Sequence, residues 1–242
     1  FLDMGVLQMA VMGLGIGLGF YIQTVAGFAA GLFAIPILMS VLPMQEAIAL
    51  MSVFLLLFSV ILVVKNWGNI EMGTVLELAT GIIVGLSGGI LILKTGNPVF
   101  LKRMLGGFTL LFVGYHFLSK QKLKIPGKVG VLFGLAGGVF SGMFSAGGPT
   151  YVVYVYNRID SASVFRATLI GILAITNTLR VPMLIVSDML TVHTLKMAVY
   201  LLPVFVVAIM LGNRTYHTIN EGRFKTILMI LLGISGVSLL LS

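Results

Sequence analysis

The sequence predicts an all-α integral membrane protein: two inverted five-element repeats with broken or re-entrant helices near the midplane. Three observations carry this prediction. Of 242 residues, 59% are hydrophobic and 9% charged, with a mean hydropathy of +1.14, against roughly 25% charged residues in soluble domains. Apolar runs of the length needed to cross lipid follow one another along nearly the whole chain. Two of the runs are interrupted by glycine-rich stretches, Gln23 to Gly31 and Ser141 to Pro149, at corresponding places in the two halves.

Cut at polar, proline and glycine interruptions, the chain gives apolar segments at about 4–22, 28–42, 46–64, 73–93, 99–118, 128–144, 149–157, 162–186, 193–212 and 224–241. The seventh is too short to span. At 1.5 Å per residue its roughly nine residues cover about half the hydrocarbon core, so it is a half-helix. At an offset near 120, Gly27 falls on Gly147, Ala47 on Ala167 and Arg103 on Arg223. The expected organisation is a single membrane domain over 1–242: repeat 1 at about 1–119, a basic linker at about 120–128 and repeat 2 at about 128–242.

Five elements per repeat make the two copies run in opposite directions through the membrane. With the linker lysines Lys120, Lys122, Lys124 and Lys128 in the cytoplasm, Lys65, Arg158, Arg166, Arg214, Arg223 and Lys225 also fall inside. Lys94, Lys102, Arg103 and Lys196 fall outside. That bias is the one expected of cytoplasmic loops.

The formal charge of +8 is therefore read as a topology signal, and no nucleic-acid partner is expected. With no cysteine, thiol catalysis and thiolate metal sites are excluded. No HExxH or Walker A pattern occurs, so neither an enzyme nor a cofactor is expected. Gly134-Leu-Ala-Gly-Gly138 lies inside an apolar helix rather than after a strand.

Broken backbone survives at membrane depth only where protein or a polar cavity surrounds it. Gly148-Pro149 reads as a helix start, because proline at the first helical position gives up an amide hydrogen that would be unpaired anyway. Each break thus leaves a helix N-terminus, and two such ends aimed at a common point would attract an anion. The structural alternative is that the glycines only permit close helix packing.

Arg180 is the strongest single candidate. It lies inside an apolar run where an arginine costs about 2.5–3.5 kcal/mol on insertion scales, and Thr176 and Asn177 share its helical face. These three, with Gln23, Thr24, Gly27, Ser145, Gly147, Gly148, Pro149 and Thr150, form the expected substrate-binding set. Against it stand a snorkelling or acid-paired Arg180 and hydroxyls that bond their own backbone. Ser141, Tyr151 and Tyr154 are weaker candidates. Of seven acidic residues, Glu46 and Glu77 come nearest the membrane interior, and Glu46 is the candidate for coupling to protons.

Gly142-Met-Phe-Ser-Ala-Gly-Gly-Pro149, its degraded partner from Gln23 to Pro36, and the Glu46-Ala47 and Arg166-Ala167-Thr168 segments after the breaks resemble the TauE/SafE family of sulfite exporters and sulfonate permeases. The likeness covers essentially the whole chain. The first break departs from it, with Gly27-Phe28-Ala29-Ala30 where a glycine pair is usual. The resemblance implies secondary transport of sulfite or an organosulfonate such as sulfoacetate, in the direction of export, in the cell membrane; the residues alone reach a small anion. A passive anion channel and a non-transporting membrane scaffold subunit are the rival readings. Lipid, the anionic substrate and coupled protons are the expected partners, and oligomeric state stays open.

Overall fold

A computed structural model describes residues 5–27, 29–118, 125–216 and 221–241. Asp3, Phe28, Lys120, Lys122, Lys124 and His217 lie outside the described residues, as do the side chains of Lys65, His116, Glu221, Arg223 and Lys225. The described chain forms helices α1 (Val6–Ala26), α2 (Ala30–Leu38), α3 (Met44–Asn66), α4 (Met72–Thr95), α5 (Pro98–Leu118), α6 (Gly130–Phe144), α7 (Gly148–Tyr156), α8 (Ala162–Val186), α9 (Val192–Tyr216) and α10 (Glu221–Leu241). Short 3-10 turns, Trp67–Asn69 and Gly127–Val129, precede α4 and α6. Six helical stretches, Val6–Ala26, Met44–Val64, Met72–Thr95, Gly127–Phe144, Ser163–Val186 and Val192–Tyr216, are long and apolar enough to cross a membrane.

The second apolar segment, expected over 28–42, is a nine-residue helix, the same length as α7. Pro36 removes a ladder donor near its end, and the chain turns through Met39 to Leu42 before Pro43. The break itself is shorter than the glycine pattern suggests, because Gln23 to Ala26 complete α1.

The chain packs as two compact units. The first contains the described parts of Phe1–Met51, Gly96–Ser119 and Val192–Ser242, and the second those of Ser52–Thr95 and Lys120–Thr191. In the first unit α1 and α2 fold back on each other, with Gly19 against Ala30 and Ala34 and Gly15 against Ile37 and Leu38. α9 runs along α1, where Phe20 and Phe205 meet edge to face at 4.8 Å, and α5 packs against α10.

The second unit is held by a tighter crossing. Gly81, Gly85 and Gly89 of α4 face the carbonyls of Val131, Leu135 and Val139, while Gly134, Gly138 and Gly142 of α6 face those of Leu78, Ile82 and Leu86. Two four-residue glycine periods meet, so the backbones touch without intervening side chains. In lipid, where burial against apolar tails gives little drive, such contact supplies much of the association. α7 folds back on α6, placing Tyr151 against Gly137, and α8 packs on α4 and α7.

Candidate functional site

The second break sits inside the second unit. Ser145 ends α6 in the left-handed region at φ 53°, turning the chain so that α7 begins at Gly148 with Pro149 in its first turn. Gly147 must lack a side chain, because a Cβ there would run into the Ser141 hydroxyl and the Gly137 carbonyl. The Thr150 and Tyr151 amides donate to the Gly147 carbonyl. The buried Gly147 and Gly148 amides find no acceptor among the described residues.

Arg180 projects from α8 into this break and is 1% exposed. Its Nη1 donates to the Ser141 carbonyl at 2.8 Å and its Nη2 to Asn177 Oδ1 at 3.1 Å. The Ser141 carbonyl also accepts the Ser145 amide, so the guanidinium lies at the C-terminal end of α6, where a helix dipole favours a cation. No carboxylate pairs with it among the described residues. Of its five N–H groups, Nε is buried with no partner, and so is the Ser145 hydroxyl.

Asn177 is spoken for on both sides. Its oxygen accepts from Arg180 and its amide donates to Ser59 Oγ at 2.8 Å and the Leu55 carbonyl at 3.2 Å. It therefore orients the arginine rather than presenting free donors. Thr176 gives its proton to the Ile172 carbonyl at 2.7 Å. The Tyr151 hydroxyl stands 3.5 Å from both Ser141 Oγ and Thr176 Oγ1, too long for strong hydrogen bonds.

The first break belongs to the other unit and is built differently. Gly27 and Ala29 take φ of 84° and 83°. The Gln23 oxygen accepts the Ala30 amide at 2.9 Å, filling the N-terminus of α2 with a protein group, and its NH₂ lies 3.5 Å from the Gly27 carbonyl. Thr24 donates to the Phe20 carbonyl at 2.7 Å. Glu46, in the first turn of α3, faces His193 Nδ1 at 3.1 Å, with both side chains partly exposed.

Sequence reasoning missed Ser59, which carries no signal beyond being a hydroxyl in an apolar run. It also missed the group around Glu77, which accepts from Tyr154 at 2.5 Å and pairs with Arg158 at 2.7 Å, tying the end of α7 to α4. Among the described residues no cluster of acidic or histidine side chains could hold a metal.

The family model described as Sulfite exporter TauE/SafE matches residues 11–239. A relative from Cupriavidus necator, named "Probable sulfite/organosulfonate exporter TauE", is 27% identical over 234 residues, covering 93% of this chain and 91% of the relative. No solved structure matches the chain. The buried cation at a broken helix thus sits in a multi-pass membrane protein, and the chain belongs to the TauE/SafE family of membrane transporters, which are not enzymes.

Proposed function

We propose that the chain is a secondary transporter that exports a small sulfur oxyanion, sulfite or an organosulfonate such as sulfoacetate, by alternating access, and that the substrate binds beside Arg180. The observation that carries this reading is a guanidinium buried in a membrane-length helix with an unused Nε–H and no carboxylate among the described residues. Such burial is costly, and an arriving anion offsets the cost. Ser145 Oγ and the Gly147 and Gly148 amides are further neutral donors of the kind that hold oxyanions at helix N-termini. The three oxygens of a sulfite or sulfonate group suit a guanidinium fork flanked by such donors. The name of the Cupriavidus necator relative points to the same anions.

Several contacts support the inverted repeats, 1–119 and 128–242, on which alternating access rests. Ala30 and Gly148 start the two nine-residue helices, and Met44 and Ala162 the helices after them; each pair is 118 residues apart. Ser59 and Asn177 stand at that same separation and bond to each other, as residues beside a two-fold axis do. α5 and α10 pack antiparallel, Leu110 against Gly236 and Val113 against Gly233. In this reading α1 packs on the fourth helix of the other repeat, and α6 does likewise. Rocking of one repeat against the other then opens the site to each side.

A passive channel is disfavoured because buried hydroxyls of the spans, at Thr24, Ser59 and Thr176, donate to their own helices and do not form a continuous polar lining. Coupled protons are assigned to Glu46, with His193 as its partner; a Glu46→Gln carrier that kept its full pH dependence would end that assignment. The main test is counterflow of radiolabelled sulfite, sulfoacetate and acetate in proteoliposomes, with and without a pH gradient. Exchange of a sulfur anion is expected, falling about a hundredfold in Arg180→Gln, the loss of one or two charge-assisted hydrogen bonds. Unchanged exchange in that variant rejects the site, and flux rising linearly with concentration without counterflow rejects the carrier.

A further inference from the structure

Within the first unit, a cavity of about 430 Å³ lies where the end of α2 meets α5 and α10. Lys102 lines it, half-buried, with no hydrogen bond or ion pair to another described residue. Ser235 and Ser238 line it from one face of α10, and neither hydroxyl has a partner among the described residues. Ser40, also in the lining, has already given its proton to the Ile37 carbonyl at 2.7 Å. The polar end therefore offers one ammonium and two hydroxyls to a ligand.

The rest of the wall is apolar and open. Leu231 and Ile234 are 48% and 63% exposed, and exposed apolar surface on a membrane helix is surface for lipid. Lys102 follows the start of α5 at Pro98 by about one helical turn, or roughly 6 Å, a depth suited to headgroups. A free oxyanion would use the ammonium and leave the apolar wall idle. An amphiphile uses both.

We infer that this cavity binds the phosphate of an anionic phospholipid, with Lys102, Ser235 and Ser238 on the phosphate and an acyl chain along Leu231 and Ile234. Basic pockets between membrane helices bind anionic headgroups by the same physics, each cation near the surface adding attraction. The site lies outside the break that holds Arg180 and stands or falls apart from the transport reading.

The test uses the full chain purified in detergent after equilibration with phosphatidylglycerol and phosphatidylcholine, with retained lipid counted by native mass spectrometry. Several-fold preferential retention of phosphatidylglycerol is expected, dropping to the phosphatidylcholine level in Lys102→Gln and persisting in Arg103→Gln, whose exposed side chain is not part of the lining. If Lys102→Gln does not fold, Ser235→Asp, which places a carboxylate beside the ammonium, decides by the same loss. Equal retention of the two lipids, or equal loss in Lys102→Gln and Arg103→Gln, overturns the site. Displacement of phosphatidylglycerol by millimolar inorganic phosphate assigns the cavity to a free oxyanion and overturns the lipid.

Discussion

The two helix breaks share a backbone device and differ in what fills it. Both turn a long helix into a nine-residue one through left-handed residues, Gly27 and Ala29 in the first and Ser145 in the second. At the first, Gln23 folds its oxygen onto the Ala30 amide, and the new helix is capped from within. At the second, the residue 118 positions on from Gln23 is Ser141, whose side chain is too short for the same cap, and the Gly147 and Gly148 amides, the Ser145 hydroxyl and Arg180 Nε have no partner among the described residues. Leu62 stands 118 residues before Arg180. Similar turns thus end differently: the first is capped from within by Gln23, and the second leaves donors unfilled among the described residues.

The largest effect that separates the two units concerns folding. The α4–α6 crossing brings Gly85 against Gly138, where a Cβ on Gly138 would stand 2.7 Å from the Ile82 carbonyl and 3.0 Å from Gly85 Cα. In the first unit α1 and α9 meet through Phe20 and Phe205. Gly138→Leu is expected to abolish folded protein in detergent, as judged by size-exclusion profile. Phe20→Leu, a change of shape within a side-chain contact, should cost about 1–2 kcal/mol and lower the melting temperature by a few degrees. A folded Gly138→Leu protein would show that the glycine ladder does not set the crossing.

The next comparison isolates the left-handed residues. Ser145 and Ala29 each pay about 1–2 kcal/mol for a conformation that glycine adopts freely, less the roughly 0.5–1 kcal/mol glycine adds to chain entropy. Ser145→Gly and Ala29→Gly should therefore both melt at or slightly above the wild-type temperature. Only Ser145→Gly removes an unpartnered hydroxyl, and only it should slow sulfite counterflow, by about tenfold for one hydrogen bond to a charged group. Equal transport in the two variants would take Ser145 out of the site.

Much of this was legible in the residues because lipid leaves few options. An arginine amid Ile, Leu and Val must find polar company, and Gly148-Pro149 both releases a helix and starts one. The half-length of α7 followed from the Ser145 to Pro149 break on one side and Asn157-Arg158 on the other. The equal shortness of α2 was hidden, since Met39 to Leu42 is as apolar as the helix before it and hydropathy cannot tell a turn from a last turn. Matching glycines pairs Gly27 with Gly147, whereas the residues that end α1 and α6 are Gly27 and Ser145. Side-chain capping by Gln23 was beyond reach as well, because a glutamine seven residues before the amide it caps has no fixed spacing rule.

A smaller effect tests the cap directly. Gln23→Ala frees the Ala30 amide at a cost of about 1 kcal/mol, typical of a lost N-cap. A melting temperature lowered by a few degrees with transport changed no more than twofold is expected. A loss of transport as large as that of Arg180→Gln would make the first break part of the binding site and erase the contrast between the two.

The smallest effect lies at a helix start: Glu71 precedes α4, where Thr191 precedes α9. Glu71 Oε2 accepts the Thr74 amide at 2.6 Å, and its own amide donates to Thr168 of α8 at 3.0 Å. Hydrogen bonds from Thr74, aided by the charge of Arg158 and opposed by partial burial, hold its carboxyl below the usual value. A carboxylate whose folded pKa is depressed contributes stability above its unfolded pKa and loses it as pH falls through the folded one. Because Glu71 is largely exposed, water screens most of this contribution, and the effect is local fraying of α4. Hydrogen exchange at Thr74 and Val75 should accelerate a few-fold, beyond the intrinsic pH dependence, between pH 5 and pH 3 on the acid side of the usual carboxylate range. In Glu71→Gln the excess should vanish, whereas an excess that survives there would mean that some other group titrates the start of α4.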